Sequence, residues 1–385
     1  MKKILRVVIT GGPCGGKTTA LEEISKSFRT QGYKVIIVPE TATALINGEI
    51  KPFGNDNDKI PLLPFQQIVL DMQLAKEKAA DLAAESCLND KVVILYDRGV
   101  LDNRAYITDD QFKTMIDKKG ITEAQILSRY DLVLHLVTAA SGKEEYYTTL
   151  NNTARFETPE EAREKDKRTM ESWSNYPNLK IIGNDCLFDE KIKRAVNEIR
   201  SFIGERQVIN QRKYKIARIN YRILSNYLKV HMLEEEITEF VTSYTKEFDE
   251  LFRKSTIAGS SYYTCTRINY HEDGTKTTVH KNINEEIYEE NKSKIQGEPI
   301  TKIRYNFIYN GERYRLDEYG EPTNLTTLER DVTNSSIKEL PNFIKIKEEI
   351  TNDRDYCDAN IYTVINKMRK ELEQKELCLK LELKI

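Results

Sequence analysis

The run Gly11-Gly12-Pro13-Cys14-Gly15-Gly16-Lys17-Thr18 constrains this chain more than any other stretch. It fits G-x-x-x-x-G-K-[ST], a pattern that works only between a strand and a helix. Both neighbours are legible. Ile4–Ile9 is a continuous apolar, β-rich run, and Thr18–Thr30 has helical periodicity. Glycines let consecutive backbone N–H groups turn inward around phosphate oxygens. The helix that follows points its positive end at the same anion. Lys17 adds charge at the β/γ-phosphates, and the Thr18 hydroxyl is a ligand for Mg²⁺. Gly11, Gly12, Pro13, Cys14, Gly15, Gly16, Lys17, Thr18 and Thr19 are therefore expected to hold a purine nucleoside triphosphate, GTP or ATP, with Mg²⁺.

The same texture continues to about residue 205. Lys34–Val38, Val92–Tyr96, Leu132–Val137 and Lys180–Ile182 read as further strands, and Pro64–Leu88 and Asp189–Ile203 as helices. Nearly continuous apolar strands separated by helices predict a parallel sheet covered on both faces. From Gln207 the chain alternates instead. Asp273-Gly274 lies between Tyr262–Tyr270 and Thr275–His280, and Asn310-Gly311 between Ile303–Tyr309 and Glu312–Leu316. Both dipeptides favour positive φ and read as hairpin turns. Glu234–Arg253 reads as a helix interrupting the strands, and Ile361–Lys380 as a charged closing helix. The expectation is a P-loop α/β domain over residues 1–205 and an antiparallel α+β domain over 206–385, with the boundary near Gly204–Val208.

Of the 385 residues, 39% are hydrophobic and 31% charged, enough core material for two or three domains. A net charge of −2 gives no overall pull toward nucleic acid or membrane, and no nucleic-acid partner is expected. The six cysteines, at 14, 87, 186, 265, 357 and 378, form no C-x-x-C pair, which argues against a disulfide framework or zinc site and for a reducing cytoplasm. The basic start runs into glycines too soon for a secretory signal, and no apolar run approaches the ~18 residues of a membrane span.

Other residues take their meaning from the phosphate loop. Asp97 and Arg98 follow the third apolar run, where an open α/β sheet has its ligand crevice. Asp97 suits Mg²⁺ or a transferred proton, and Arg98 suits a phosphate or an acceptor; the alternative is a strand-end Asp capping the helix at Val100. Glu40 follows the second run and suits a base or a water-orienting group, or else a solvated loop. Arg155, Arg163, Lys165, Lys167 and Arg168 cluster in Asn151–Arg168. They read either as a mobile lid closing over phosphates, with Arg155 and Arg163 its functional members, or, with the interleaved acids, as a solvated helix. Asn184 follows the fifth strand, on the loop that passes the base in sheets of this type.

The run Val7–Thr19, together with Val38–Thr43, Asp97-Arg98-Gly99, Tyr130–Ala140 and Arg155, Glu157, Glu161, Ala162 and Arg163, resembles the P-loop domain of the TRPL translocation defect proteins over residues 4–203. That group is itself similar to nicotinamide riboside kinases and thymidylate-kinase-like folds. The resemblance implies GTP or ATP binding and, for the animal members, GTP with phosphoinositide binding, hence a peripheral contact with membranes. There is no N-K-x-D element, so guanine and adenine stay open.

Ile209–Tyr214 resembles the E-x-E-x-K opening of the CYTH, or triphosphate-tunnel, barrels. Ile209 and Gln211 replace the glutamates that hold metal in the triphosphatases, while Lys213 stays. Strand alternation puts Lys213 with Lys215, Lys302 with Arg304, and Arg313 with Arg315 and Asp317 on one face. With Arg267, these bases would line a tunnel for a phosphorylated small molecule or phosphoinositide headgroup. Without the resemblance, the same faces would simply meet water. The expected function is a Mg²⁺-dependent NTPase with a ligand-binding tunnel. The alternatives are a nucleoside or riboside kinase and a nucleotide-controlled adaptor with negligible turnover.

Overall fold

The computed structural model describes residues 2–55, 57–147, 158–205, 211–231, 236–244, 248–270, 276–294, 299–320, 325–332, 339–351, 353–356 and 361–382. It divides into two compact units, Met1–Phe202 and a second that begins at Ile203 and holds the remaining strands. No helix among the described residues is long and apolar enough to cross a membrane.

In chain order, the first unit consists of β1 (Lys3–Thr10), α1 (Lys17–Thr30), β2 (Lys34–Val38), α2 (Thr41–Asn47), α3 (Leu62–Ser86), β3 (Lys91–Asp97), α4 (Asp109–Asp117), α5 (Glu123–Leu127), β4 (Leu132–Leu136), α6 (Pro159–Ser172), β5 (Leu179–Ile182) and α7 (Phe188–Phe202). The strands form one parallel sheet of order β2-β3-β1-β4-β5. Val7, Val8, Ile9 and Thr10 are all fully buried. Consecutive residues of a strand point to opposite faces, so both faces are covered. The chain builds outward from β1 to one edge, then crosses from β3 over β1 to β4. Such a reversal opens a crevice at the carboxyl ends of the strands, where ligands bind in folds of this kind.

The second unit consists of β6 (Gln211–Ile219), α8 (Tyr221–His231), β7 (Glu236–Tyr244), β8 (Phe248–Ile257), β9 (Ser260–Tyr270), β10 (Lys276–Ile283), α9 (Glu285–Lys292), β11 (Ile300–Tyr309), β12 (Glu312–Tyr319), β13 (Thr326–Asp331), β14 (Ile344–Glu349) and α10 (Ile361–Glu382). Its nine described strands form one antiparallel sheet of order β10-β9-β8-β7-β11-β12-β13-β6-β14, the antiparallel second half that the alternation predicts. One face is apolar: Tyr214, Phe307, Tyr314, Leu316 and Leu328 pack with Leu224 of α8 and Phe343. On the opposite face, Leu251, Ile300 and Tyr319 pack against Ile361 and Ile365 of α10.

Glu234–Arg253, read above as a helix, is a correction. Its described residues lie in β7 and β8. The acidic flanks resemble a helix surface, but Ile237, Thr238, Phe240, Val241, Thr242 and Tyr244 are β-branched or aromatic. Ladders to β8 and β11 then satisfy the β7 backbone. Asn310 and Gly311 form the expected turn, with φ of 51° and 72°. Asp273-Gly274 lies outside the described residues, though β9 and β10 on either side pair Tyr270 with Lys276.

Candidate functional site: a phosphate loop and its cleft

The loop from Gly11 to Gly16 packs so tightly on its neighbours that glycine is required at its base. A Cβ on Gly11, whose φ is +136°, would lie 2.1 Å from the Leu136 carbonyl oxygen. One on Gly12 would lie 2.7 Å from the Asp166 Cβ. The loop is held by the segment after β4: Ala139 N–H donates to the Cys14 carbonyl (3.2 Å), and the Thr138 hydroxyl donates to the Pro13 carbonyl. Helix α1 starts at Lys17 behind Gly16 with no side-chain cap, so its first amides face the cleft. Lys17 is buried and its Nζ donates to the carbonyls of Gly11 (3.0 Å) and Gly12 (2.7 Å). Thr18 and Thr19 are exposed and line the cleft.

At the end of β3, Arg98 takes a left-handed backbone (φ 72°), unusual for a residue with a side chain. That bend sends its guanidinium under the loop, where Nε donates to Glu40 Oε1 at 2.5 Å and Nη1 to the Gly11 carbonyl at 3.2 Å. Thr43 donates to the other Glu40 oxygen at 2.6 Å. Burial pushes the Glu40 carboxyl up, but Arg98, Thr43 and Lys17 prevail and hold it down at about 2. Asp97 goes the other way: burial raises its carboxyl, and the Glu40 charge adds to this. Asp97 Oδ1 is buried without a hydrogen-bond partner. A buried carboxylate oxygen left over in the same cleft as an exposed threonine hydroxyl of the phosphate loop is a donor set that fits Mg²⁺. Among the described residues no cluster of three or more His, Cys, Asp or Glu offers a closed metal site.

Asn184 lies after β5 and is fully engaged. Its amide donates to the Thr138 (2.7 Å) and Ser141 (2.8 Å) carbonyls, and its oxygen accepts from Lys191 Nζ at 2.7 Å. Arg155 lies outside the described residues. Arg163 turns to the Ala140 carbonyl (2.7 Å) and to Glu160 (2.5 Å), while Lys165 and Arg168 of the same helix line the cleft. Helix α6 starts at a Thr158/Glu161 capping box with Pro159 in its first turn, and is docked on the loop through Asp166. Asp166 Oδ1 accepts from Gly12 N–H at 2.6 Å and meets His135 Nε2 at 3.1 Å.

Three working residues escape sequence reasoning. Asp166 is one acid among many on a charged helix and carries no signal. Lys191 is hidden in the same way on α7. Asp102, which accepts from the Thr10 hydroxyl and from Gly99 N–H (2.7 Å), ties the root of the phosphate loop to the turn after β3. His135 did carry a signal, as a polar residue within the wholly apolar strand β4.

The cleft has a volume of about 1590 Å³. On one side of the phosphate loop it reaches Asn184, Leu187, Phe188 and Lys191; on the other it passes Asp97 and Arg98 to Ile46, Phe53, Leu62, Phe65 and Val69. Leu187 (77% exposed) and Phe188 (49%) at one end, and Phe53 (40%) and Leu62 (45%) at the other, are large apolar side chains left open.

Residues 6–190 match the sequence profile of a protein family described as an AAA domain. This part of the chain is a P-loop nucleotide-binding domain. No curated protein matches the chain. Among solved structures, the NadR protein in complex with NAD and AMP-PNP is 16% identical, with a TM-score of 0.36, over 53% of this chain and 51% of its own. An inorganic triphosphatase is 17% identical, with a TM-score of 0.26, over 39% of this chain and 91% of its own.

In the second unit most of the expected bases are buried on one face of the sheet, but not alone. Lys213, Lys302, Arg304, Arg313 and Arg315 are buried on the face opposite the apolar core, together with Asp317, Glu329 and Asp331. Asp317 pairs with Lys302 and with Arg304 (2.6 Å), Glu329 with Lys213 (3.0 Å) and Arg315 (3.2 Å), and Asp331 with Arg315 (3.1 Å). Arg313 donates to Asn306 at 3.0 Å. Burial pushes the Asp317 and Glu329 carboxyls up, yet Arg304 and Lys302 at the first, and Lys213 and Arg315 at the second, hold both below the usual carboxylate range. Lys215 is half-buried and donates to the Tyr356 hydroxyl at 2.9 Å. Arg267 corrects its expected place: strand parity sets it on the other face, exposed and paired with Glu250 at 2.5 Å.

Proposed function

We propose that the first unit is a phosphotransferase, moving the terminal phosphoryl group of a purine nucleoside triphosphate to a small hydroxyl-bearing acceptor. The observation that carries this is the second lobe of the cleft. Ligand sites are usually about 300–1,000 Å³, and this cleft exceeds that, with an open apolar end on each side of the phosphate loop. Leu187 and Phe188 would stack a base, and Phe53, Leu62 and Phe65 would seat an acceptor such as a nucleoside or riboside. Thr18 and Asp97 are the residues that would hold Mg²⁺, which when bound neutralises charge on the phosphates. Lys17 releases the Gly11 and Gly12 carbonyls and turns to the β/γ-phosphates. Arg98 stands between phosphate loop and acceptor lobe. If Asp97 does not hold the metal, its raised carboxyl makes it the better proton acceptor of the two acids, since a base held near 2 binds a proton weakly.

Hydrolysis by water is the second reading, favoured by the same unpartnered Asp97 oxygen, which would orient a water as readily as a hydroxyl. In the second unit, the five bases and three acids buried on one face among the described residues favour an anionic, phosphorylated ligand. The phosphoinositide headgroup rests on the family resemblance alone. The deciding experiment measures ATP and GTP turnover with Mg²⁺ against a panel of nucleosides and ribosides. A transferase gives turnover that rises steeply with one class of acceptor and is nearly abolished in Lys17→Ala. Slow turnover indifferent to every acceptor assigns an NTPase, and binding without turnover an adaptor.

A further inference from the structure

Lys191 stands in the first turn of α7, almost wholly buried, yet it lines the same cleft as Gly16, Lys17 and Asn184. Its Nζ donates to the Val137 carbonyl at 2.6 Å and to Asn184 Oδ1 at 2.7 Å. An ammonium has three N–H donors, and these partners take two. Both partners are neutral, so no carboxylate in contact holds the charge. The charged and titratable groups around it are Asp166 of α6, Lys17 of α1 and Cys186 in the loop before α7. His135 of β4 touches Asp166 from behind. Phe188, one turn earlier on α7, presses on the phosphate loop: a Cβ at Gly16 would sit 2.7 Å from its ring.

We propose that Lys191 is a second cation of the nucleotide site, charged when nucleotide is bound, so that binding draws a proton from solvent onto its amine. The inference rests on the nucleotide reading of the cleft and adds to it a residue and a proton that the phosphate-loop pattern does not supply. Burial pushes the amine down, Asp166 and Cys186 offset part of this, Lys17 lowers it further, and the balance leaves it at about 8. A polyanion in the cleft adds opposite charge and raises it again. Affinity is therefore full well below pH 8 and falls as pH rises through the free-state value of about 8 toward the higher bound-state value. The limiting slope is tenfold per pH unit, the loss of one proton-linked interaction. The acceptor on the ligand is an oxygen or ring nitrogen of the nucleotide, from either its base or its phosphates.

The test is equilibrium binding of ATP, GTP and inorganic triphosphate to the full chain between pH 7.5 and 9.5. In this range a terminal phosphate, with its second pKa near 6, is already ionised. Wild type is expected to lose affinity progressively above pH 8 and to take up protons on binding, seen calorimetrically in buffers of different ionisation enthalpy. Lys191→Arg keeps its charge throughout, and its profile is expected to be flat and tight. Lys191→Met is expected to bind roughly 10- to 100-fold more weakly at pH 7.5, the worth of a charge-assisted bond, with the slope gone. A slope shared by inorganic triphosphate assigns the phosphates as the acceptor, and one confined to the nucleotides assigns the base or sugar. A flat wild-type profile, or a slope retained in either variant, overturns the proposal. Failure of wild type to bind any nucleotide overturns the nucleotide reading instead. Should Lys191→Met not fold, the Lys191→Arg profile still decides.

Discussion

Asp97 and Glu40 are both acids at the ends of neighbouring strands, and from sequence alone they compete for the same role. Their surroundings separate them. Glu40 is clamped by Arg98 and Thr43, and its contribution to stability is present above its ordinary value of about 4.3 and lost as pH falls toward 2. Asp97 has an unpartnered buried oxygen and a raised carboxyl. Asp97→Asn is expected to slow turnover by roughly 10²–10⁴-fold with the Mg²⁺ dependence of binding kept if Asp97 is the general base, and to weaken that Mg²⁺ dependence if it holds the metal. Glu40→Gln, which can still accept from Arg98, is expected to slow turnover less than about tenfold and to act mainly on KM. Steady-state kinetics of the two variants checks this, and the reverse order would make Glu40 the base. The phosphate loop was legible residue by residue because its chemistry leaves so few choices. Asp166 and Lys191 were not, because on a charged helix nothing in the sequence distinguishes the one side chain that turns inward.

At the scale of elements, the parallel sheet was legible strand by strand, since buried strands are nearly continuous apolar runs that stand out from the charged helices between them. Helix α6 was readable as a helix but not as a docked one, because docking depends on the Gly12–Asp166 contact across the fold. The turn after β3 has the same long-range character. A Cβ at Gly99 would lie 2.7 Å from two ring carbons of Trp173, which is fully buried and stacks edge-on with Tyr130 and Tyr176. Gly99→Ala is therefore expected to cost about 1–3 kcal/mol, as overpacking usually does, and to shift Arg98 beside it. Denaturant melting combined with turnover checks both effects, and a variant as stable as wild type would show that the indole gives way freely. The strands β7 and β8 were misread because acid-rich flanks imitate a helix surface, while the ladder of β7 to β11, which helps decide the matter, lies far along the chain.

At the scale of the whole molecule, alternation in β11 and β12 told which residues share a face, but not that carboxylates from β13 would neutralise them. Asp317 holds two cations in a fully buried setting. Asp317→Asn is expected to destabilise the second unit by about 3–5 kcal/mol, since removing one partner strands the buried charge of the others. Thermal or urea unfolding followed by tryptophan-independent circular dichroism reports it; an unchanged midpoint would mean that water already reaches the network. Strand order carries one more consequence, which concerns how the chain is made. β6 is the first strand of its unit, yet its partners are β13 and β14, so that Gln211 pairs with Asp331. Ribosomes add about 5–20 residues per second, which leaves β6 without either partner for on the order of ten seconds after it emerges. During that interval its two edges are open to any other nascent strand, and the yield of active chain on overexpression depends on how well chaperones cover them.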